Sequence, residues 1–321
     1  MPELPQIKHQ PTVDKIYEYY VNKNFGLFRP HLGASLIGDE CCRKLWYSFR
    51  WVANPRFDGR MYRLFNTGQI EESRVVNDLR NVGMCVYDRD PDSGKQINYI
   101  EKECRHHSGS LDGVIKKILE SPETWHVLEI KSASNKYFKE IKTKGIQKVK
   151  PLYYAQVQMY MRWSKLTRAF FVVVNKDTDE IYSERIYYDK DFAEQLSNKA
   201  KRIVFSDIPL ERLGSTSNSF TCKWCDYIDI CWGKKLPLVS CRTCAFATPE
   251  VEGTWTCGRD IEKVVLSELK QKTGCERHIF IPQLVPLEST DADPEKGTIS
   301  YGDIVNGPGG IASKDFEKYI K

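Results

Sequence analysis

The chain has 321 residues, with 48 basic and 43 acidic side chains and a formal charge of +5. That length can bury a full core, and the charge balance is too even to name a nucleic-acid partner by itself. Apolar and charged fractions of 41% and 28% exclude a disordered or membrane-spanning chain. The start, MPELPQIKHQPTVDK, carries no apolar secretion core, and the longest apolar runs are only strand-length. Eleven cysteines in such a chain point to metal sites in a reducing compartment, so a cytoplasmic location and no membrane partner are expected.

Helical text is expected near 11–23 and 40–52. From Arg43 to Arg63 the chain interleaves Arg43, Lys44, Arg50, Arg56, Arg60 and Arg63 with Trp46, Tyr47, Phe49, Trp51, Phe57 and Tyr62. Such basic groups neutralise phosphates while aromatics stack on unpaired bases; the plainer alternative puts the aromatics in the core. An amphipathic helix follows at about 60–81 and contains Gly68-x-x-x-Glu72. Strands are expected at 84–89, 107–118 and 124–133. They carry Asp112-Gly113 and, seventeen residues after the aspartate, Glu129-Ile130-Lys131. Alternation along a strand sends Glu129 and Lys131 to one face and Ile130 to the other. Two carboxylates on adjacent strands suit Mg²⁺ or Mn²⁺, which take oxygen ligands. A lysine beside them orients an attacking water while the metal stabilises charge on a scissile phosphate. That combination is the chemistry of phosphodiester hydrolysis.

Between Lys131 and Lys150 there are seven lysines against one acid, Glu140. With Arg43, Arg60 and Arg63, the lysines Lys148 and Lys150 are the expected DNA contacts. A helix at about 150–164 carries Gln156 and Tyr160 on one face. RAFFVVVNK and EIYSERIYY read as two strands with a turn at 176–179. The following helix is capped by Asp189 or Asp191. His106 and His107, just before the Asp112 strand, are phosphate-side or structural. This order of elements predicts an α/β fold with a mixed central sheet flanked by helices.

Two cysteine sets stand apart. Cys222-x2-Cys225-x5-Cys231 offers three clustered thiols, and Cys41 or Cys42 is available as a fourth ligand far upstream. From about Leu236, Cys241-x2-Cys244-x12-Cys257-x17-Cys275-x2-His278 offers five candidates for a structural zinc, which takes four. Cys241, Cys244 and Cys257 are the firmer three, with Cys275 or His278 completing the set. Cys85 and Cys104 read as free buried thiols. The expected organisation is a domain at 1–235 and a small zinc module with a loop-rich extension at 236–321.

In order and spacing these motifs resemble the RecB-like branch of the PD-(D/E)XK nucleases, specifically its iron–sulfur members: AddB-type nuclease domains, CRISPR-adaptation exonucleases and phage-encoded relatives. The resemblance covers roughly residues 30 to 235. In that family the early cysteine stands two residues before an arginine, which favours Cys41 over Cys42. Leu111 replaces the proline of the family name, and Glu72 fills a slot where many relatives carry histidine. The resemblance implies a restriction-endonuclease-like core in which Asp112, Glu129 and the Ile130 carbonyl hold the catalytic metal and Glu72 completes it. It further implies that Lys131 positions water and that Gln156 and Tyr160 hold the water network or the DNA backbone. A [4Fe–4S] cluster on Cys41, Cys222, Cys225 and Cys231 is implied as a structural clasp. The expected activity is that of a DNA exonuclease on single-stranded or end-resected DNA in recombination, repair or phage DNA processing. A helicase, annealing or recombination partner would go with it, in a bacterial or phage-infected cell. The alternatives are a non-catalytic DNA-binding or assembly factor on the same scaffold, or a structure-specific endonuclease.

Overall fold

The computed structural model describes residues 10–24, 28–54 and 57–319. In chain order it runs α1 (Pro11–Lys23), β1 (Leu32–Gly33), α2 (Cys42–Phe49), α3 (Gly59–Asn81), β2 (Cys85–Tyr87), β3 (Asn98–Ile100), β4 (His107–Ser110) and β5 (Gly113–Lys116). Next come β6 (His126–Ala133), α4 (Asn135–Lys144), α5 (Ile146–Val149), α6 (Pro151–Ser164), β7 (Arg168–Asn175), β8 (Ile181–Tyr187) and α7 (Lys190–Val204). Local chemistry sets several of these boundaries. Asp58 caps α3 by accepting from the Met61 amide at 2.7 Å, and Asp189, not Asp191, caps α7 by accepting from Phe192 at 3.0 Å. Pro151 sits in the first turn of α6, where its missing N–H costs nothing.

The central sheet has the order β2-β5-β6-β7-β8, antiparallel except for the β6–β7 pair. Two parallel neighbours need a crossover, and α4 to α6 supply it. Alternation then sorts the layers. Leu128, Ile130, Phe170 and Val172 pack with Val75 and Val76 of α3 on one side. Val127, Ala169, Phe171 and Val173 pack with Ile141 of α4 and Val157 and Met161 of α6 on the other. The result is a mixed α/β structure with helices on both faces of the sheet.

The expected strand at 107–118 is broken. β4 leaves the central sheet and forms a small one of order β1-β4-β3, and β5 alone continues in the large sheet. Asp112 therefore lies in the bend between β4 and β5, not within a strand. The two-residue β1 and three-residue β3 are too short to show any period, so the sequence gives no sign of them.

After Leu236 the chain forms two more three-stranded sheets, of order β11-β10-β9 and β12-β13-β14, with β9 at Ala247–Pro249, β10 at Trp255–Cys257, β11 at Val264–Val265, β12 at Asp291–Asp293, β13 at Thr298–Tyr301 and β14 at Ile304–Asn306. This region does not bury a core of its own. Trp255, Ile279, Phe280, Tyr301 and Phe316 join the same apolar cluster as Leu45, Trp46 and Phe49 of α2. Two buried arginines fasten it there. Arg50 donates to the carbonyls of Ala247 (3.1 Å) and Ser206 (3.2 Å), and Arg242 donates to those of Phe49 and Pro30, both at 2.8 Å. Arg242 also lies 3.6 Å over the Trp51 ring. No described helix is long and apolar enough to cross a membrane.

Candidate functional site

Glu129 and Lys131 leave β6 on the face shared with Val127, opposite Phe171 and Val173 of β7. Glu129 is fully buried, while Lys131 keeps 22% of its side chain exposed. The Lys131 ammonium donates to Glu129 Oε1 and, at 3.2 Å, to the Ile130 carbonyl, and it stands 3.9 Å from Asp112 Oδ2. Asp112 holds its bend by accepting from the Ile130 amide at 2.8 Å through the same oxygen. Two residues earlier, the Ser110 carbonyl accepts from the Tyr160 hydroxyl at 2.7 Å, and Gln156 donates to that hydroxyl at 3.0 Å. Gln156 and Tyr160 thus act together, one helical turn apart, on the backbone leading into Asp112. Glu72 approaches from α3.

The electrostatics bind these groups into one unit. Burial first, then the neighbouring Asp112 charge, pushes Glu129 up to about 8 and Glu72 up to about 7. Burial works against the charge on Lys131, but Glu129 and Asp112 outweigh it and raise its pKa. Burial likewise raises the Tyr160 phenol, so it stays a donor. Glu129 Oε2 and Gln156 Oε1 are buried with no hydrogen-bond partner. An orphaned buried carboxylate oxygen beside two further carboxylates is a donor set that fits a hard divalent cation. As the side chains are placed, no described group of three or more His, Cys, Asp or Glu is arranged to hold a metal ion.

The first cysteine set also comes together. Cys41, Cys222, Cys225 and Cys231 line one cavity of about 370 Å³. Cys42 turns away: its sulfur accepts from Arg202 Nη2 at 3.2 Å. Four thiols around one space suit an iron–sulfur or zinc centre. In the C-terminal region burial pushes the Cys241 thiol up to about 12, helped by Cys244, Cys275 and Cys257. Cys241 thus has the other three thiols near it, and a cation there would relieve the repulsion it meets. His278 stands apart from that role. Its ring nitrogens are engaged by Thr243 Oγ1 (3.3 Å) and Ser313 Oγ (2.8 Å), and burial lowers its pKa to about 4.

The expected DNA contacts scatter. Trp46, Tyr47, Phe49 and Trp51 are core residues at 0–2% exposure, and Arg50 is buried with them, so this segment is not a base-stacking surface. Arg43 is half-buried, 5.6 Å over the Tyr47 ring, and lines the cysteine cavity. Arg60 and Arg63 are exposed on α3. Arg63 precedes Glu72 by nine residues, which at about 100° per residue places it on the opposite face of the helix. Arg56 lies outside the described residues. Lys148 is exposed on α5, whereas Lys150 lines a cleft with Lys131. His106 and His107 are buried at 2% and 0%, which makes them structural. Residues that sequence reasoning missed also line the Lys131 cleft: Tyr137, Tyr153 and Lys176. Their signal was positional, since the cleft lies at the carboxyl ends of the parallel pair β6 and β7.

No protein-family model and no curated protein matches the chain. Among solved structures it is similar to SSO0001, at 14% identity and a TM-score of 0.43, over 71% of this chain and 100% of that one. It is also similar to LHK-Exo in complex with dAMP, at 15% identity and 0.39, over 59% of this chain and 89% of that one. A second structure of LHK-Exo, an alkaline exonuclease from Laribacter hongkongensis, aligns at 18% identity and 0.39, over 58% of this chain and 90% of that one.

Proposed function

We propose that this chain is a divalent-metal-dependent deoxyribonuclease with a PD-(D/E)XK-type core. The observation that carries the reading is the convergence of a helix, a bend and a strand on one charged unit of Glu72, Asp112, Glu129 and Lys131, with a Glu129 oxygen buried and unpaired. Glu72, Asp112, Glu129 and the Ile130 carbonyl would hold Mg²⁺ or Mn²⁺. Bound there, the ion supplies charge stabilisation for a scissile phosphate. Lys131, fixed by Glu129 and the Ile130 carbonyl, keeps its proton and donates toward the attacking water or a phosphate oxygen. Tyr160 and Gln156 hold the Ser110 carbonyl and so set the bend that aims Asp112. Action on DNA ends, as an exonuclease in recombination, repair or phage DNA processing, follows the family that the motif order resembles. On the same footing Cys41, Cys222, Cys225 and Cys231 would carry a [4Fe–4S] clasp, and Cys241, Cys244, Cys257 and Cys275 a structural zinc.

The test is cleavage of 5′- and 3′-labelled single- and double-stranded DNA by anaerobically purified protein with Mg²⁺ or Mn²⁺, beside Lys131→Ala. Metal-dependent degradation that falls at least about 100-fold in the variant, with its circular dichroism and colour unchanged, is the expected result. Cluster-loaded wild-type protein that binds DNA tightly without cutting it would replace this reading with the binding factor.

A further inference from the structure

Beside the candidate metal site lies a cleft of about 240 Å³ that the metal does not explain. Three lysines, Lys131, Lys150 and Lys176, and the hydroxyl-bearing Ser132, Ser134 and Tyr137 are among its lining residues, and no carboxylate is. Among the described residues Lys150 and Lys176 make no ion pair, whereas Lys131 is committed to Glu129 and Asp112. Lys150 is held in place, with its ammonium 3.6 Å over the Tyr137 ring. The floor is apolar, formed by Phe171 and Val173 of β7, with Lys150 half-buried and Lys176 exposed at its rim. Lys150 also precedes the first turn of α6, which adds the positive end of that helix to a site the lysines define, whereas the first amide of α4 already donates to the Asp177 carboxylate at 2.6 Å.

We infer that this cleft is a phosphate subsite that holds a backbone phosphate of the DNA strand next to the scissile one, with Lys150 and Lys176 as its anchors. The inference rests on the nuclease reading, because it takes the strand from the Lys131 centre. Lys131 belongs to both places: one side of its chain touches the carboxylates and the other lines the cleft. A phosphate seated by Lys150 and Lys176 would therefore fix the register in which its neighbour meets the metal. Lys150 and Lys176 are positioning residues in this scheme.

The experiment replaces each phosphate of a short single-stranded oligonucleotide, one at a time, by an uncharged methylphosphonate. Wild type, Lys150→Met/Lys176→Met and Lys150→Arg/Lys176→Arg are compared. Binding is read by fluorescence anisotropy without divalent metal, and cleavage with Mn²⁺. In wild-type protein one position beside the cut should weaken binding and slow cleavage roughly 10- to 100-fold, the range of a hydrogen bond to a charged group. The Met variant should lose that position-dependence and the Arg variant should keep it. Equal responses in wild type and Met variant at every position would overturn the subsite even if DNA is cut. Weakened binding at one position in wild type and the Arg variant but not in the Met variant, with no cleavage by any protein, would keep the subsite and remove the nuclease. Circular dichroism of the three proteins separates either result from misfolding.

Discussion

The carboxylate centre and the cysteine cavity each gather groups that repel one another once ionised, yet they are held in opposite ways. At the carboxylate centre the counter-charge is built in. Lys131 bonds Glu129, and Asp112 is tied to the backbone of the neighbouring strand on a five-stranded sheet. At the cysteine cavity the walls come from two distant stretches. Cys41 caps α2, and Cys222 to Cys231 lie on chain whose only regular element is the four-residue helix Ile228–Cys231. Burial raises the Cys225 thiol and Cys41 adds to it, while the nearby Lys44, paired with Asp39, pulls the other way without reversing the shift. The carboxylate centre thus carries its own counter-charge, whereas at the cysteine cavity the proposed cluster would be what holds the walls together.

The largest effect should come from breaking that second dependence. A bound cluster would close a loop of about 180 residues, and cross-links over loops of that order are worth roughly 5 kcal/mol. Cys222→Ala is expected to lose the brown chromophore and solubility together, read by absorbance and soluble yield. Asp112→Asn should do the reverse. It keeps the acceptor for the Ile130 amide, so stability should move by less than about 1 kcal/mol while cleavage falls at least about 100-fold. A soluble, coloured and fully stable Cys222 variant would remove the contrast between the two sites.

The next largest effect concerns the C-terminal region. Arg242 donates to Phe49, Pro30 and Gln271 from a fully buried position among Trp51, Phe49 and Trp255. Arg242→Ala leaves those acceptors unpaired beside a cavity, a loss of about 3 kcal/mol or more. In urea, tryptophan fluorescence and far-ultraviolet circular dichroism should shift together, as one core requires. Two separated transitions would instead restore independent modules on either side of residue 235.

That arginine also shows what was legible and what was not. The Glu129–Lys131 pair could be read because alternation along a strand is local, and it correctly put the two side chains on one face, whereas Asp112 was expected on a strand and lies in a bend. The helix from Gly59 to Asn81 and the Gln156–Tyr160 face were legible because helical periodicity is local too, while the cap was narrowed only to Asp189 or Asp191. The destination of an aromatic is decided by what packs on it. Tyr47 and Phe49 look the same in sequence whether they stack on bases or, as here, meet Tyr227 and Trp255 more than 170 residues away. The Arg50 and Arg242 clamp is long-range in the same sense. Gly109, Asp112 and Gly113 are poor strand formers that signal a break, but nothing local shows that the chain changes sheets there. The family spacing already favoured Cys41 over Cys42, whereas the surroundings of Cys42 and His278 are long-range: Arg202 beside Cys42, and Thr243 and Ser313 around His278.

The smallest effect is a pH dependence, and it sets the buried histidines against the carboxylate centre and the cysteine cavity. His106 packs edge-on against Phe49 and Trp255 at 5.4 and 5.9 Å, and His107 against Trp163 at 4.9 Å. Burial first, and then nearby positive groups, lowers His106 to about 4 and His107 to about 3, against an ordinary value of 6.5. Arg242 and Arg50 face His106, His31 faces His107, and Glu101 comes within 3.9 Å of His107 without reversing its shift. Because the folded values are depressed, the unfolded chain takes up these protons first. Stability from the two neutral rings is therefore complete above about pH 6.5 and is lost as pH falls toward 4 and then 3. The slope approaches about 1.4 kcal/mol per pH unit for each histidine. Urea midpoints at pH 7, 6 and 5 should fall progressively in wild type and less steeply in His107→Gln, whatever the variant costs at pH 7. The slope, not the offset, carries the argument, since a packing defect shifts all three midpoints equally. Identical slopes in the two proteins would mean that His107 is already protonated in the fold, with Glu101 as its partner.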